Sequence, residues 1–171
     1  MSKGIVASTS DSTTMAIVKS SYANSWNVQV AEIEFDWSQV GNHNGQAFNL
    51  IGQLKVPANS YILDVQVHGI ALWVSGGAVS LIVGDGDDDD GFMVSTNLKA
   101  TDLLVGEANT VEHNGGKDGA YIDGEQRKFY SASARTVTAK LTVASNATAV
   151  SAGKTKVLIM YCCPPVDTVK P

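Results

Sequence analysis

The sequence predicts an all-β chain, a jelly roll or β-sandwich with an extended N-terminal arm. Two observations carry most of this. Apolar residues alternate with polar ones in short runs rich in Val, Ile, Thr and aromatics, and that two-residue period turns one face of a strand toward a core. Clusters of Gly, Pro, Asn and Ser punctuate the runs, as turns do. A third observation is negative: almost no segment carries a helical period. Roughly seven or eight strands bounded by turns fit a two-sheet architecture.

Residues 1–25 are poor in large apolar side chains and rich in Ser and Thr, the composition of an arm. Within them Met15, Ile17 and Val18 form a short apolar run suited to pairing with a sheet edge. These three are the candidate partner-binding residues. The single β-sandwich domain is expected over residues 26–165, with a polar tail at 166–171. After Trp26, Val28 and Val30 alternate with polar residues, then Ala31, Ile33 and Phe35 do so on the opposite parity. A parity change inside one strand predicts a bulge near residues 30 and 31. Gly41-Asn42-His43-Asn44-Gly45 is a turn; Phe48, Leu50 and Leu54 mark the next strand, closed by Pro57-Ala58-Asn59-Ser60.

Residues 61–74 read as one long strand. Leu63, Val65 and Val67 lie on one parity, Ile62, Asp64, Gln66 and His68 on the other, and Gly69 marks a bend. Ser75-Gly76-Gly77 predicts a hairpin turn into a strand over 79–83. Residues 92–95 start another strand, and 96–104 are the one helix candidate. The Gly-rich stretch 106–126 predicts a long surface loop around Ala120-Tyr121-Ile122. Val137, Ala139, Leu141 and Val143 point inward by alternation, with Thr138, Lys140 and Thr142 outward. Residues 156–163 are nearly continuously apolar, a strand buried on both sides or against a partner. Pro164-Pro165 cannot continue a ladder and ends the sheet.

The chain has 171 residues and a mass of 18.0 kDa, enough for one core without disulfide or metal staples. It is 44% hydrophobic and 17% charged, against a usual charged share of about 25%. So sparse a charge suits a subunit that hides much of its outside, or a Ser/Thr/Asn-rich β domain. A net charge of −5 and a pI of about 5.0 disfavour direct nucleic-acid binding, which needs clustered Lys and Arg. The only arginines are Arg127 and Arg135. No apolar run approaches the ~18 residues of a membrane span. The first residues lack the apolar core of a secretory signal, so synthesis in the cytoplasm is expected. Cys162 and Cys163 are adjacent; a disulfide between neighbours is strained and closes almost no loop. Two reduced thiols are expected, one packed and one facing out.

The most conspicuous motif is Asp85-Gly86-Asp87-Asp88-Asp89-Asp90-Gly91, between Leu81-Ile82-Val83 and Phe92-Met93. It is an acidic loop between strands. Two carboxylates ~6 Å apart in water repel by about 0.7 kcal/mol, so the loop is well solvated, a cation site, or a contact for another chain. Asp85, Asp87, Asp88 and Asp90 are the candidate calcium ligands. The calcium loop with a Gly at its sixth and a Glu at its twelfth position is not matched: from Asp85 these positions hold Asp90 and Thr96. No nucleophile or phosphate-loop motif is present. His43, His68 and His113 lie in separate segments, and no catalytic residue or cofactor site is assigned. Of the tryptophans, Trp73 reads as core or interface and Trp37 as exposed.

The stretch Leu54-Lys55-Val56-Pro57-Ala58-Asn59-Ser60-Tyr61-Ile62-Leu63-Asp64-Val65 resembles a strand of small structural proteins of tailed bacteriophage particles. So does Val79-Ser80-Leu81-Ile82-Val83-Gly84-Asp85, followed by Asp88 and Asp90-Gly91-Phe92, and Lys154-Thr155-Lys156-Val157-Leu158-Ile159-Met160-Tyr161 resembles their closing strand. The resemblance covers residues 48–95 and 135–162. It implies a virion component, a jelly-roll capsid cement or decoration protein without enzymatic activity, made in the host cytoplasm. Its implied partners are the major capsid protein and further copies of itself, as a homodimer or homotrimer. The alternative is a tail or fibre-tip module that recognises host glycan through Trp37, Tyr121 and a calcium-loaded acidic loop.

Overall fold

In the computed structural model the described residues are 27–40, 47–99, 118–122, 130–144 and 150–163. Among them eight strands form two four-stranded antiparallel sheets: β1 Asn27–Asp36, β2 Phe48–Val56, β3 Ser60–Val74, β4 Val79–Gly84, β5 Met93–Asn97, β6 Tyr130–Ser131, β7 Arg135–Val143 and β8 Ala152–Cys163. One sheet has the order β1-β8-β3-β6 and the other β2-β7-β4-β5. Only β4 and β5 are neighbours both in sequence and in a sheet. Every other connection between consecutive strands crosses from one sheet to the other, which is the double Greek key of a jelly roll.

The inward residues of both sheets meet in one core. Val137, Ala139, Leu141 and Val143 of β7 are fully buried, as are Val79, Leu81 and Val83 of β4 and Val157 and Ile159 of β8. β7 therefore behaves as its alternation predicts. Trp73 is also buried, and its indole N–H donates to Thr155 Oγ1 at 2.8 Å. Gly153, at φ +143°, lies against that indole, and any side chain there would overlap the ring. Asn59 takes positive φ in the turn before β3, a conformation Asn tolerates, and accepts from Tyr130 Oη at 3.0 Å.

β1 runs in unbroken register from Asn27↔Cys163 to Asp36↔Lys154, so there is no bulge at residues 30 and 31. Phe35 faces the core, whereas Val28 and Val30 face outward and are 57% and 61% exposed. The bulge lies in β3, where the register slips between Ile62 and Asp64. Ile62 and Val65 are buried and Leu63 is exposed, so Leu63 does not share a face with Val65. A further slip follows Gly69, where a bend is expected. Ser75-Gly76-Gly77 is not a hairpin, because β3 and β4 belong to opposite sheets. It is an arch over the core edge, held by Lys99 Nζ donating to Ser75 O at 2.8 Å and Gly77 O at 3.1 Å.

The helix candidate over 96–104 begins inside β5, and Leu98 is buried; residues beyond 99 lie outside the described ones until 118. Tyr121 is not on a surface loop: it is fully buried. β8 is central in its sheet rather than covered on both sides. Val157 and Ile159 are buried on the inner face, while Leu158 and Met160 on the outer face are half-buried. Cys162 is buried and Cys163 half-buried, both as free thiols, with Ser60 Oγ donating to Cys163 Sγ at 3.3 Å. Residues 1–26, with Met15, Ile17, Val18 and Trp26, and residues 164–171 lie outside the described ones, as do His43 and His113.

Candidate functional site

Two regions depart from a plain sandwich: the acidic loop after β4, and the outer face of the β1-β8-β3-β6 sheet. The loop is closed at its base by Phe92 N donating to Val83 O at 2.9 Å and capped by Asp85 N donating to Asp88 O at 2.8 Å. The Asp85 carboxylate accepts from the backbone N–H groups of Asp87 and Asp88, at 3.0 and 3.3 Å, an Asx turn that suits Asp. It accepts also from Tyr121 Oη at 2.9 Å and lies 3.7 Å from the Arg135 guanidinium. The side chains of Asp85 and Arg135 are 7% and 11% exposed. Arg135 also lies over the Phe92 ring, 5.2 Å from its centroid, and Phe92 meets Tyr121 edge to face at 5.1 Å.

The segment 118–122 is zipped onto the loop by Gly119 N donating to Phe92 O at 3.0 Å and Tyr121 N donating to Gly91 O at 2.7 Å. Gly91 faces the Tyr121 ring so closely that a methyl group there would overlap it. Burial first, then the hydrogen bond to Asp85, pushes the Tyr121 phenol well above its ordinary range. Burial lowers the Arg135 pKa, opposed by the attraction of Asp85. The first aspartate of the run thus anchors β4, β7 and the 118–122 segment together.

The candidate calcium ligands separate in space. Asp85 is engaged as described. The carboxylates that converge are those of Asp88, Asp89 and Asp90, each offering an oxygen within 4.8 Å of the others. Burial, then a hydrogen bond with Asp88 and the charges of Asp88 and Asp89, raises the Asp90 pKa. Lys140 Nζ lies 3.9 Å from Asp89 and offsets part of that charge. Calcium takes about six to eight oxygens, so these three would supply less than half of a shell. An open cleft of about 620 Å³ separates the loop from the turn before β7, lined by Asp85, Asp87, Tyr130, Ser133, Arg135 and Thr136. The sequence motif drew attention to the loop; its partners Tyr121 and Arg135 carry no local signal. The scarcity of arginine in the chain was the one available pointer to Arg135.

Along β1 and β8 the outer face of the other region is divided lengthwise, whereas β3 carries exposed apolar residues at both ends, Tyr61 and Leu63 at one and Ile70 and Val74 at the other. On β1, Val28 and Val30 precede Glu32 and Glu34; on β8, Lys154 and Lys156 precede Leu158 and Met160. Lys154 Nζ pairs with Glu34 at 2.9 Å, and Lys156 Nζ with Glu32 at 2.9 Å and Glu34 at 3.6 Å. The hydrogen bond to Lys154 holds the Glu34 carboxyl below its ordinary range, and the one to Glu32 holds the Lys156 ammonium above its own. The apolar end continues onto β3 and β6, where Tyr61 and Leu63 are exposed and the Tyr61 ring packs tilted against Tyr130, 4.9 Å between ring centroids. His68, in line with Lys156, is hydrogen-bonded to Gln66 Oε1 at 3.0 Å.

No family model and no curated protein matches the chain. Among solved structures it is similar to a chain of the acidic stable capsid of Helicobacter pylori bacteriophage KHP30, with 15% identity and a TM-score of 0.45. That comparison covers 82% of this chain and 92% of the other. It is similar also to a chain of the capsid asymmetric unit of cyanophage Pam1, with 14% identity and a TM-score of 0.43, covering 94% and 100%. At that distance neither bears on activity or partners, and the jelly-roll assignment rests on the strand order itself.

Proposed function

We propose that this chain is a structural, non-catalytic component of a bacteriophage particle, a capsid cement or decoration protein that stabilises the major capsid shell by bridging neighbouring subunits. The observation that carries the reading is the exposed apolar end of the β1-β8-β3-β6 sheet, with Val28, Val30, Tyr61 and Leu63 beside a sheet edge. A cluster of this kind marks a protein contact. The residues that resemble phage virion proteins lie on β2, β3, β4, the acidic loop and β8, so the resemblance belongs to the framework that presents this face.

The mechanism is added interface, repeated by the symmetry of a shell so that modest contacts accumulate. Met15, Ile17 and Val18 are proposed to add a strand to an edge of a neighbouring subunit, main chain to main chain. The partners are the major capsid protein and other copies of the chain, as a homodimer or homotrimer. The net charge of −5 favours protein over nucleic acid as the partner. The chain is made in the host cytoplasm and resides in the virion. Particles assembled without the chain are expected to release DNA at lower temperature than complete ones, and adding the purified chain back to restore them. Ile17→Asp is expected to weaken co-sedimentation with shells at least tenfold. Particles equally robust without the chain overturn the reading.

The alternative, a glycan-binding tail or fibre-tip module, is favoured by one observation: Trp37 is 43% exposed beside the Asp36-Ser38 cap of a 3₁₀ turn. Tyr121 drops out of it, being buried. Glycan binding abolished by Trp37→Ala or by EDTA would select this reading; retention of shell binding in both conditions selects the first.

A further inference from the structure

We propose that the outer face of the β1-β8-β3-β6 sheet docks on the same face of a second copy of this chain, about a two-fold axis that runs along the strands between β1 and β8. This deepens the self-association named above and does not depend on a capsid shell.

The pattern on the face selects both the occupant and the axis. The outward residues of β1 run Val28, Val30, Glu32, Glu34, Asp36, and their register partners on β8 run Cys162, Met160, Leu158, Lys156, Lys154. One strand therefore carries the acids and its neighbour the bases, with the apolar residues of both at the same end. A two-fold axis along the strands exchanges the two rows without moving anything lengthwise. Val30 of one copy then stands over Met160 of the other, Glu34 over Lys156, and Asp36 over Lys154, each contact made twice, with Glu32 over Leu158 at the boundary between the apolar and charged halves. A two-fold axis across the strands fails. Centred between the halves it lays Val28 on Glu34; centred on the valines it leaves the charged halves uncovered.

Charge points the same way. The chain carries −5 overall, so two copies repel at most approaches. Here Glu32, Glu34 and Asp36 of each copy meet Lys154 and Lys156 of the other, so the facing rows carry one net negative charge per copy rather than the −5 of the whole chain. The five-aspartate run projects from β4 of the other sheet. The outer face of that other sheet would not serve. Its outward residues include Asn49, Gln53 and Lys55 on β2 and Thr136, Thr138, Lys140 and Thr142 on β7, with the exposed Ile51 and the half-buried Ile82 on either side of Lys140.

Stacked sheets lie about 10 Å apart and about 30° off alignment, so the rows match over the central residues rather than along their full length. Because β1 is the edge strand, an axis between β1 and β8 sets only these two strands of each copy against each other. Two strands of about 30 Å, spaced ~4.8 Å, project about 290 Å² per copy, or ~580 Å² in total, which is below the size of stable interfaces and points to a weak dimer in rapid exchange with monomer.

The test is sedimentation of the purified full chain over a concentration series, with folding followed by circular dichroism. The wild type is expected to show a reversible monomer–dimer equilibrium. Val30→Asp is expected to weaken it at least tenfold with an unchanged melting temperature, and Ile51→Asp, on the opposite outer face, to leave it unchanged. A chain carrying Glu32→Lys and Glu34→Lys, and a second carrying Lys154→Glu and Lys156→Glu, are each expected to be monomeric alone and to pair when mixed. A wild type that stays monomeric throughout overturns the proposal, as does a dimer insensitive to Val30→Asp or equally sensitive to Ile51→Asp. If Ile17→Asp dissolves the dimer as Val30→Asp does, the arm is the occupant and the face-to-face pairing is wrong. Because none of these measurements uses a shell, a monomeric chain that still binds shells defeats this inference alone. A dimer that ignores shells defeats only the capsid reading.

Discussion

The acidic loop and the outer face of β1 and β8 are opposites. The loop is the loudest feature of the sequence, yet its first carboxylate is directed inward, to Tyr121, Arg135 and two backbone N–H groups. The outer face is quiet in sequence, a few valines among glutamates, yet Val28 and Val30 on its edge strand are 57% and 61% exposed. A charge run that must repel itself is stable where the fold supplies a buried cation. An apolar pair on an edge strand is uncovered because the opposite parity of that strand already fills the core. The contrast separates residues that hold the molecule together from residues free to hold something else.

Breaking the loop tests the first half of that contrast and carries the largest expected effect. Arg135→Ala leaves Asp85 buried without its cation. Removing one partner of a buried pair costs about 3–5 kcal/mol, and the 3.7 Å separation places this one near 3 kcal/mol. For a domain of this size that is a fall of roughly 6–12 °C in melting temperature. Asp85→Ala is expected to lose about as much, since the Tyr121 hydroxyl loses its acceptor at the same time. If either variant melts within 2 °C of the wild type, Asp85 does not anchor β4, β7 and the 118–122 segment.

Gly91→Ala comes next. The new methyl group has to displace the Tyr121 ring, an overpacking cost of about 1–3 kcal/mol, read by thermal melts. Val30→Asp then sharpens the contrast from the other side. Its effect on the stability of the isolated chain is expected to stay within about 0.5 kcal/mol, as for an exposed position away from special features, while association is lost. A variant that weakened folding and left association intact would reverse the roles assigned to the two regions.

Much of the fold could be read from residue order alone. The alternation in β7 is unbroken because both its neighbours are strands of the same sheet and its inner face meets nothing but core. β1 misled because parity reasoning equates apolar with inward, and Val28 and Val30 obey a different demand. The true bulge at Leu63 was hidden because Leu63, Val65 and Val67 make a run of apolar residues that alternates without interruption. The arch at Ser75-Gly76-Gly77 has the composition of a hairpin turn, and only the sheet assignment of β3 and β4 distinguishes the two. At the site, the loop was legible and its anchor was not. Tyr121 and Arg135 lie 36 and 50 positions from Asp85, and no local pattern links them.

The smallest expected effect concerns the three converging carboxylates. Asp90 has a pKa raised above its ordinary 3.8, first by burial and then by Asp88 and Asp89. A carboxyl raised in the folded state binds its proton more readily folded than unfolded. Stability therefore rises as pH falls from neutrality through the raised value, and the gain is complete below 3.8. Glu34 and Asp36, both lowered, act with the opposite sign: their contribution is present above the ordinary values of 4.5 and 3.8 and fades as pH falls through the lowered ones. Asp90→Asn removes the repulsion at neutral pH. Two like charges ~5 Å apart in water repel by about 0.8 kcal/mol before screening, so a gain of about 0.5 kcal/mol at pH 7 is expected. The melting curves of Asp90→Asn and wild type should converge as pH approaches 3.8, whereas those of Glu34→Gln and wild type should differ most at neutral pH, with the wild type the more stable. A destabilising Asp90→Asn at pH 7 in EDTA would show that the Asp90 carboxylate is held by an attraction the described contacts do not contain.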